Sequence, residues 1–293
     1  MLAWILLAIA AAGAACLGYG LLIERRAYRL VRRDLAILPA TGPETIRVLH
    51  LSDLHFVRRD ARKAQFLASL PPADVTVVTG DFLAEPEAAE TVVEALRVNR
   101  GRLASWFVLG SNDYFVPRPV NPLRYLRKRM NRKPRLARRG RWRELVAGLE
   151  ADGWRDLTNV RQDVELDGLP VELLGLDDAH IRLQDLRVVP RRSPERFGFA
   201  VMHSPDSAPE AVACGYPLIV AGHTHGGQVR LPMFGALVTN SHLPRRVASG
   251  LIRLGGAFVH VSPGLGTSKF APYRFLCPPE ATLLELRRRP GLT

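Results

Sequence analysis

Short β-rich runs recur along this chain, and each stops at residues able to hold a cation. Ile46-Arg47-Val48-Leu49-His50-Leu51 runs into Ser52-Asp53-Leu54-His55, and Val75-Thr76-Val77-Val78-Thr79 runs into Gly80-Asp81. The stretch Ala61 to Leu70 between them has a helical pattern, so the unit is strand, helix, strand. A crossover of that kind pairs its strands in parallel. After a second helical stretch, Glu87 to Val98, the run Leu103 to Leu109 leads into Gly110-Ser111-Asn112-Asp113. Phe197 to Met202 leads into His203, and Leu218-Ile219-Val220-Ala221 leads into Gly222-His223-Thr224-His225. Parallel strands share an exit edge, and open α/β sheets bind ligands beyond the carboxyl ends of their strands, so tips spread over about 170 residues can meet. The pattern describes an α/β domain.

The residues gathered at those tips are Asp53, His55, Asp81, Asn112, His203, His223 and His225: carboxylates, imidazoles and one amide, without a thiolate. Mixed oxygen and nitrogen donors suit Mn²⁺, Fe or Zn²⁺ better than Ca²⁺ or Mg²⁺, which prefer all-oxygen shells. The set exceeds the needs of one ion. Two ions about 3.5–4 Å apart, sharing one carboxylate, would use it all, and such a pair binds a hydroxide and clamps a phosphoryl group during in-line displacement. Taken singly the signals are weak, because Asp-x-His after a strand and Gly-Asp are ordinary turns. His223-Thr224-His225 between glycines is more telling, since glycine lets backbone and ligand approach closely. The ordered set carries the expectation of phosphate-ester hydrolysis.

The same series resembles the calcineurin-like metallophosphoesterase superfamily over residues 46–287. Gly222 to Val229, taken with the apolar N-terminus, is similar to its membrane-associated bacterial branch, which includes UDP-2,3-diacylglucosamine-type pyrophosphatases and related phosphodiesterases. The resemblance implies a four-layer α-β-β-α sandwich with a dinuclear site at its upper edge. It implies Asp53, His55 and His225 on one ion, Asn112, His203 and His223 on the other, and Asp81 bridging, with Asp81, Asn112 and His203 carrying the catalytic step. One motif departs from the family. Gly110-Ser111-Asn112-Asp113 stands where Gly-Asn-His-Asp or Gly-Asn-His-Glu is usual, so strict alignment puts Ser111 at the metal-binding Asn and Asn112 at the His. Either Ser111 serves as donor or the loop shifts by one residue and Asn112 does; the amide oxygen is the better neutral donor to a hard cation and is preferred. Asn cannot supply a proton near neutral pH. Substrates with good leaving groups, pyrophosphates or activated diesters, are therefore favoured.

Met1 to Ile23 carries no charged side chain, and at about 1.5 Å per residue it reaches roughly 34 Å, enough for a hydrocarbon core of about 30 Å. Glu24, Arg25, Arg26, Arg29, Arg32 and Arg33 come directly after it, and the positive-inside rule puts that side in the cytoplasm. The expected organisation is a single-pass anchor in the cell membrane over 1–23, a basic juxtamembrane linker over 24–45, the metallophosphoesterase domain over 46–287 and a tail over 288–293. A cleaved signal peptide would open with a basic region, which Met1-Leu2-Ala3-Trp4 lacks. Cys16, Cys214 and Cys277 support no disulfide framework.

The chain has 41 Lys+Arg against 28 Asp+Glu, a net charge of +13, and much of the excess falls in a basic insertion over 117–143. No acidic residue stands between Asp113 and Glu144. Beside a membrane anchor, contact of this insertion with anionic headgroups is expected ahead of a solvated loop, and nucleic acid ranks last because no recognised motif accompanies the charge. The substrate is accordingly expected to be lipid-linked or amphiphilic. The alternatives are a phosphodiesterase acting on soluble nucleotides and a non-catalytic, membrane-tethered binder of anionic polymers. Asp177, Asp178 and His180, after the strand-like Val171 to Leu176, read as turn and cap residues ahead of substrate-facing ones, His50 as a core histidine, and Ser262 to Lys269 as a closing loop.

Overall fold

In the computed structural model, which describes residues 1–116 and 140–290, the β-rich runs form two six-stranded sheets. β1 (Arg29–Leu38), β2 (Thr45–Leu51), β3 (Val75–Thr79), β4 (Ala104–Val108), β5 (Arg155–Asp156) and β14 (Glu280–Arg288) make the first, in the order β1-β14-β2-β3-β4-β5. The second contains β6 (Val160–Leu166), β7 (Leu169–Leu176), β8 (Phe197–Met202), β9 (Leu218–Ala221), β12 (Gly250–Leu254) and β13 (Ala257–Val261), in the order β12-β13-β9-β8-β7-β6. The strands that lead to the candidate ligands are parallel within each sheet, β2 to β3 to β4 in one and β7 to β8 to β9 in the other.

Successive side chains of a strand face opposite sides of its sheet, and here both sides are buried. Val48, Val77 and Trp106 of the first sheet meet Val171, Leu173, Phe199, Val201 and Val220 of the second, forming the core between the sheets. Their neighbours Leu49, Val78 and Phe107 point outward onto α2 (Ala61–Ala68), α3 (Ala89–Leu96) and α5 (Trp142–Ala151), where Leu67, Val92, Leu96, Leu145 and Leu149 are buried. Leu174 and Ile219 cover the far face of the second sheet with Ala208 and Ala211 of α6 (Ala208–Ala213). The layers are helix, sheet, sheet, helix, as expected.

Residues 24–45, expected as a linker, instead contain β1, which lies at the edge of the first sheet and pairs in parallel with β14. Its arginines obscured it. On an edge strand one side faces water, and charge there discourages pairing with other chains. The two strands are stitched by Arg29–Glu280 at 2.9 Å, Arg32–Glu285 at 3.2 Å and Arg287–Asp34 at 2.7 Å. At the N-terminus α1 (Leu2–Leu22) is a helix long and apolar enough to cross a membrane. Most of the basic insertion, residues 117–139, lies outside the described residues; its last part, Trp142 onward, opens α5.

Candidate metal centre

Beyond the ends of β2 and β3 the two loops stay in register. Asp53 N–H donates to Gly80 O at 3.0 Å, and His55 N–H donates to Asp81 O at 2.9 Å. Across the second sheet Gly222 N–H donates to His203 O at 2.8 Å. The sheets are then tied to each other at this edge, His223 N–H donating to Asp53 Oδ2 at 2.9 Å and the His203 ring bonding Thr79 O through Nδ1 at 2.7 Å. Asp53, His55, Asp81, His223 and His225 all have positive φ, between 42° and 68°. Non-glycine residues are uncommon there, and such backbone strain concentrates at functional sites. Two glycines leave the room: a Cβ on Gly222 would lie 1.8 Å from Ser52 Oγ, and one on Gly110 would lie 2.3 Å from Asp81 Oδ1.

The tips converge. Asp53, His55, Asp81 and His225 bring ligand atoms within 4.8 Å of one another, and His203, His223 and Asp178 do the same beside them. Asp81 faces both groups, with Oδ2 at 3.5 Å from His55 Nε2 and Oδ1 at 3.7 Å from His203 Nε2. Asn112, in the short helix α4 (Ser111–Tyr114), donates its backbone N–H to Asp81 Oδ1 at 2.8 Å and lays its side-chain amide against Asp81 Oδ2. All seven candidate residues of the sequence pattern are therefore brought together.

The donor set fits cations. His55 Nε2 and His225 Nε2 face each other at 3.2 Å. His203 Nε2 and His223 Nδ1 do so at 3.3 Å, while the other nitrogen of each of these two rings lies by a carbonyl, Thr79 O or Asn240 O. Opposed lone pairs at such distances need a proton or a metal ion between them. Asp53 Oδ1, Asp178 Oδ2 and the Nδ1 atoms of His55 and His225 are buried without a protein partner, which buried polar atoms rarely tolerate. The electrostatics make the same demand for positive charge. Burial works against a charged His203, yet Asp81, Asp178 and Asp53 together hold it up to about 10. Burial lifts the Asp53 carboxyl to about 7 and pulls the His55 imidazole down to about 4.

Several residues of this site were not apparent in the sequence. Asp178 does cap a turn, accepting His180 N–H through Oδ1 at 2.7 Å, but its Oδ2 lies 4.0 Å from His203 Nε2 and joins the second group. The His180 ring leans on His223 with centroids 4.7 Å apart. Both carboxylate oxygens of Asp113 accept backbone N–H groups, from Gly110, Asp81, Phe82 and Leu83, and so fix the Asp81 loop. His50 and His260 form a buried pair, Nδ1 to Nδ1 at 2.8 Å, from which a relay runs through Thr79 Oγ1 and Ser52 Oγ to Asp53 Oδ2. Because the carboxylate only accepts, each group donates to the next, with His50 carrying its proton on Nε2 and His260 on Nδ1. The closing loop does close the site: Leu265 and Gly266 donate to Ser52 O and Asp53 O, and the buried Arg274 guanidinium gathers the carbonyls of Pro263, Gly264 and Gly266.

The sequence model of the calcineurin-like phosphoesterase family matches residues 46–227. The chain belongs to that family. An uncharacterised metallophosphoesterase of Bacillus subtilis, YkuE, is 26% identical over 81% of this chain and 76% of its own length. A UDP-2,3-diacylglucosamine pyrophosphatase of Chlamydia trachomatis, LpxG, is 27% identical with 84% of each chain covered. A transmembrane protein with metallophosphoesterase domain of Bos taurus is 28% identical over 75% of this chain and 48% of its own. Family membership and the donor cluster together make this calcineurin-like phosphoesterase a metal-dependent phosphohydrolase.

Proposed function

We propose that the chain is a membrane-anchored enzyme hydrolysing the pyrophosphate or diester bond of a lipid-linked substrate, facing the cytoplasm. Asp53, His55 and His225 would hold one ion and His203, His223, Asp178 and Asn112 the other, with Asp81 shared between them. Mn²⁺, Fe or Zn²⁺ suit these donors. A pair of such ions supplies a nucleophile from water at neutral pH and a clamp for the phosphoryl oxygens.

The chain's own residues do the rest. Asp81 reaches both groups because Asp113 pins its backbone and Asn112 its carboxylate. The relay that ends on Asp53 Oδ2 fixes which oxygen turns to His225, whose Nε2 lies 3.5 Å from Oδ1. Asn112, beside Asp81, can orient a phosphoryl oxygen through its amide but cannot protonate a departing group. The chemistry therefore favours a leaving group that is stable as an anion, as in a pyrophosphate. The observation that carries the reading is the paired donor set at the shared edge of the two sheets, and the pyrophosphatase relative supports the substrate class.

Turnover of a chromogenic phosphodiester with Mn²⁺ by the wild type, lost in Asp81→Asn, is the expected result. A mutant as active as wild type would sink the proposal. Hydrolysis of a lipid pyrophosphate in vesicles, set against free nucleotides, decides the substrate class.

A further inference from the structure

The end of α1 is fastened to the same segment that flanks the metal loop. Tyr273 Oη reaches Cys16 O at 3.4 Å, Arg274 N–H reaches Gly20 O at 3.4 Å, and Tyr19 meets the Phe275 ring edge-on with centroids 6.4 Å apart. Glu24, just past the helix, accepts the N–H groups of Leu276 and Cys277. Gly20 makes the contact close, since a Cβ there would lie 2.2 Å from the Tyr273 ring. Cys16 stands six residues before the end of the helix, about 9 Å along its axis. If α1 spans, Tyr273 and Phe275 sit at the depth where aromatic residues line the membrane boundary.

From this level a hairpin grows out of the metal loop. Phe275 N–H donates to Gln228 O at 2.8 Å and Arg230 N–H donates to Phe275 O at 2.9 Å. The chain then continues through β10 (Arg230–Leu231) and β11 (Gly235–Ala236), which are joined by Pro232, Met233 and Phe234. Met233 is 104% exposed and Phe234 80%, whereas Gly227 and Ala236 at the base are packed. Beside the base lies a cavity of about 230 Å³ whose lining includes Arg33, Arg230, Leu276 and Cys277 together with the paired Arg29 and Glu280. An apolar tip on a hairpin whose base carries Arg230 beside Arg33 has the chemistry of a surface that rests on anionic headgroups and dips into the acyl chains.

We infer that the Met233–Phe234 hairpin is a second membrane contact, inserted into an anionic bilayer while Arg33 and Arg230 meet its phosphates. This rests on the reading of α1 as an anchor. Gln228, which the Phe275 N–H grips, is three residues from His225, so the contact sets the metal centre at the bilayer surface and lets it take its substrate from there.

The test places the full chain in nanodiscs of phosphatidylcholine and phosphatidylglycerol with or without brominated acyl chains. The emission difference between wild type and Trp4→Phe isolates Trp4 in α1, and that between Phe234→Trp and wild type isolates the hairpin. Quenching at both positions is expected. Quenching at Trp4 alone overturns the hairpin inference and leaves the anchor standing; quenching at position 234 alone supports the hairpin and removes the anchor; quenching at neither overturns both. In the same discs, Met233→Ser with Phe234→Ser should keep turnover of a soluble chromogenic diester and lose at least about tenfold on a lipid pyrophosphate, since burying even one of the two large apolar side chains is worth that much. Equal rates on both substrates would count against it.

Discussion

Asp178 shows how one carboxylate serves two ends: Oδ1 caps the turn through His180 N–H while Oδ2 stays buried and unpartnered toward His203. Asp178→Asn should therefore weaken the second Mn²⁺ by about 10- to 100-fold and leave the first nearly unchanged, as read by calorimetric titration. Equal weakening of both ions would contradict that assignment. The relay histidines give a pH signature. Burial holds His50 well below its ordinary 6.5 and brings His260 down to about 3, so above pH 6.5 both rings are neutral in folded and unfolded chains alike and full stability is present. As pH falls below that value the unfolded chain takes up protons that the folded chain refuses, and stability drops by about 1.4 kcal/mol per pH unit for each ring until the folded ring titrates. In metal-free protein, His260→Asn should flatten the acid limb of a denaturant-stability profile by about that slope for one proton. An unchanged limb would mean that His260 is already charged in the fold. Neither role was legible in the sequence, because His50 and His260 stand 210 residues apart and the signal of each is only its partner.

At the scale of elements, the strand tips were legible because parallel strands covered on both faces leave near-continuous apolar runs, and each of these runs ends at one of a few metal-binding residue types. β1 was not, since an edge strand carrying Arg29, Arg32 and Arg33 has the composition of a linker until β14 supplies Glu280 and Glu285. The left-handed backbone at five candidate ligands was equally hidden, as nothing in Asp53 or His223 marks it. Gly222 is where tip geometry is most exposed to test. Its substitution by Ala would drive a Cβ to 1.8 Å from Ser52 Oγ and 2.6 Å from Asp53 Oδ2, breaking the relay and the first ion's carboxylate together. A loss of about 1–3 kcal/mol in stability is expected from the overpacking, with Mn²⁺ affinity falling first at the site of Asp53. Unchanged metal binding in a folded Gly222→Ala protein would show that this tip can give way.

For the whole molecule, both sheets contribute to each group of donors, Asp53, His55, Asp81 and Asn112 following strands of the first and Asp178, His203, His223 and His225 following strands of the second, so cations at their shared edge should act as a clasp between them. Mn²⁺ at roughly a hundredfold over its dissociation constant should then add about 2.7 kcal/mol to stability, seen as a raised Tm that chelation reverses and that Asp81→Asn lacks. The sandwich and its clasp arise from residues that stop each strand, while the hold of α1 on Tyr273 and Phe275 depends on contacts more than 250 residues apart in sequence, beyond any local pattern. The most direct measurement is an anomalous difference map from crystals grown with Mn²⁺. Two adjacent peaks, both touching Asp81, one flanked by Asp53, His55 and His225 and the other by His203, His223 and Asp178, are the predicted result; a solitary peak, or peaks remote from Asp81, would contradict it.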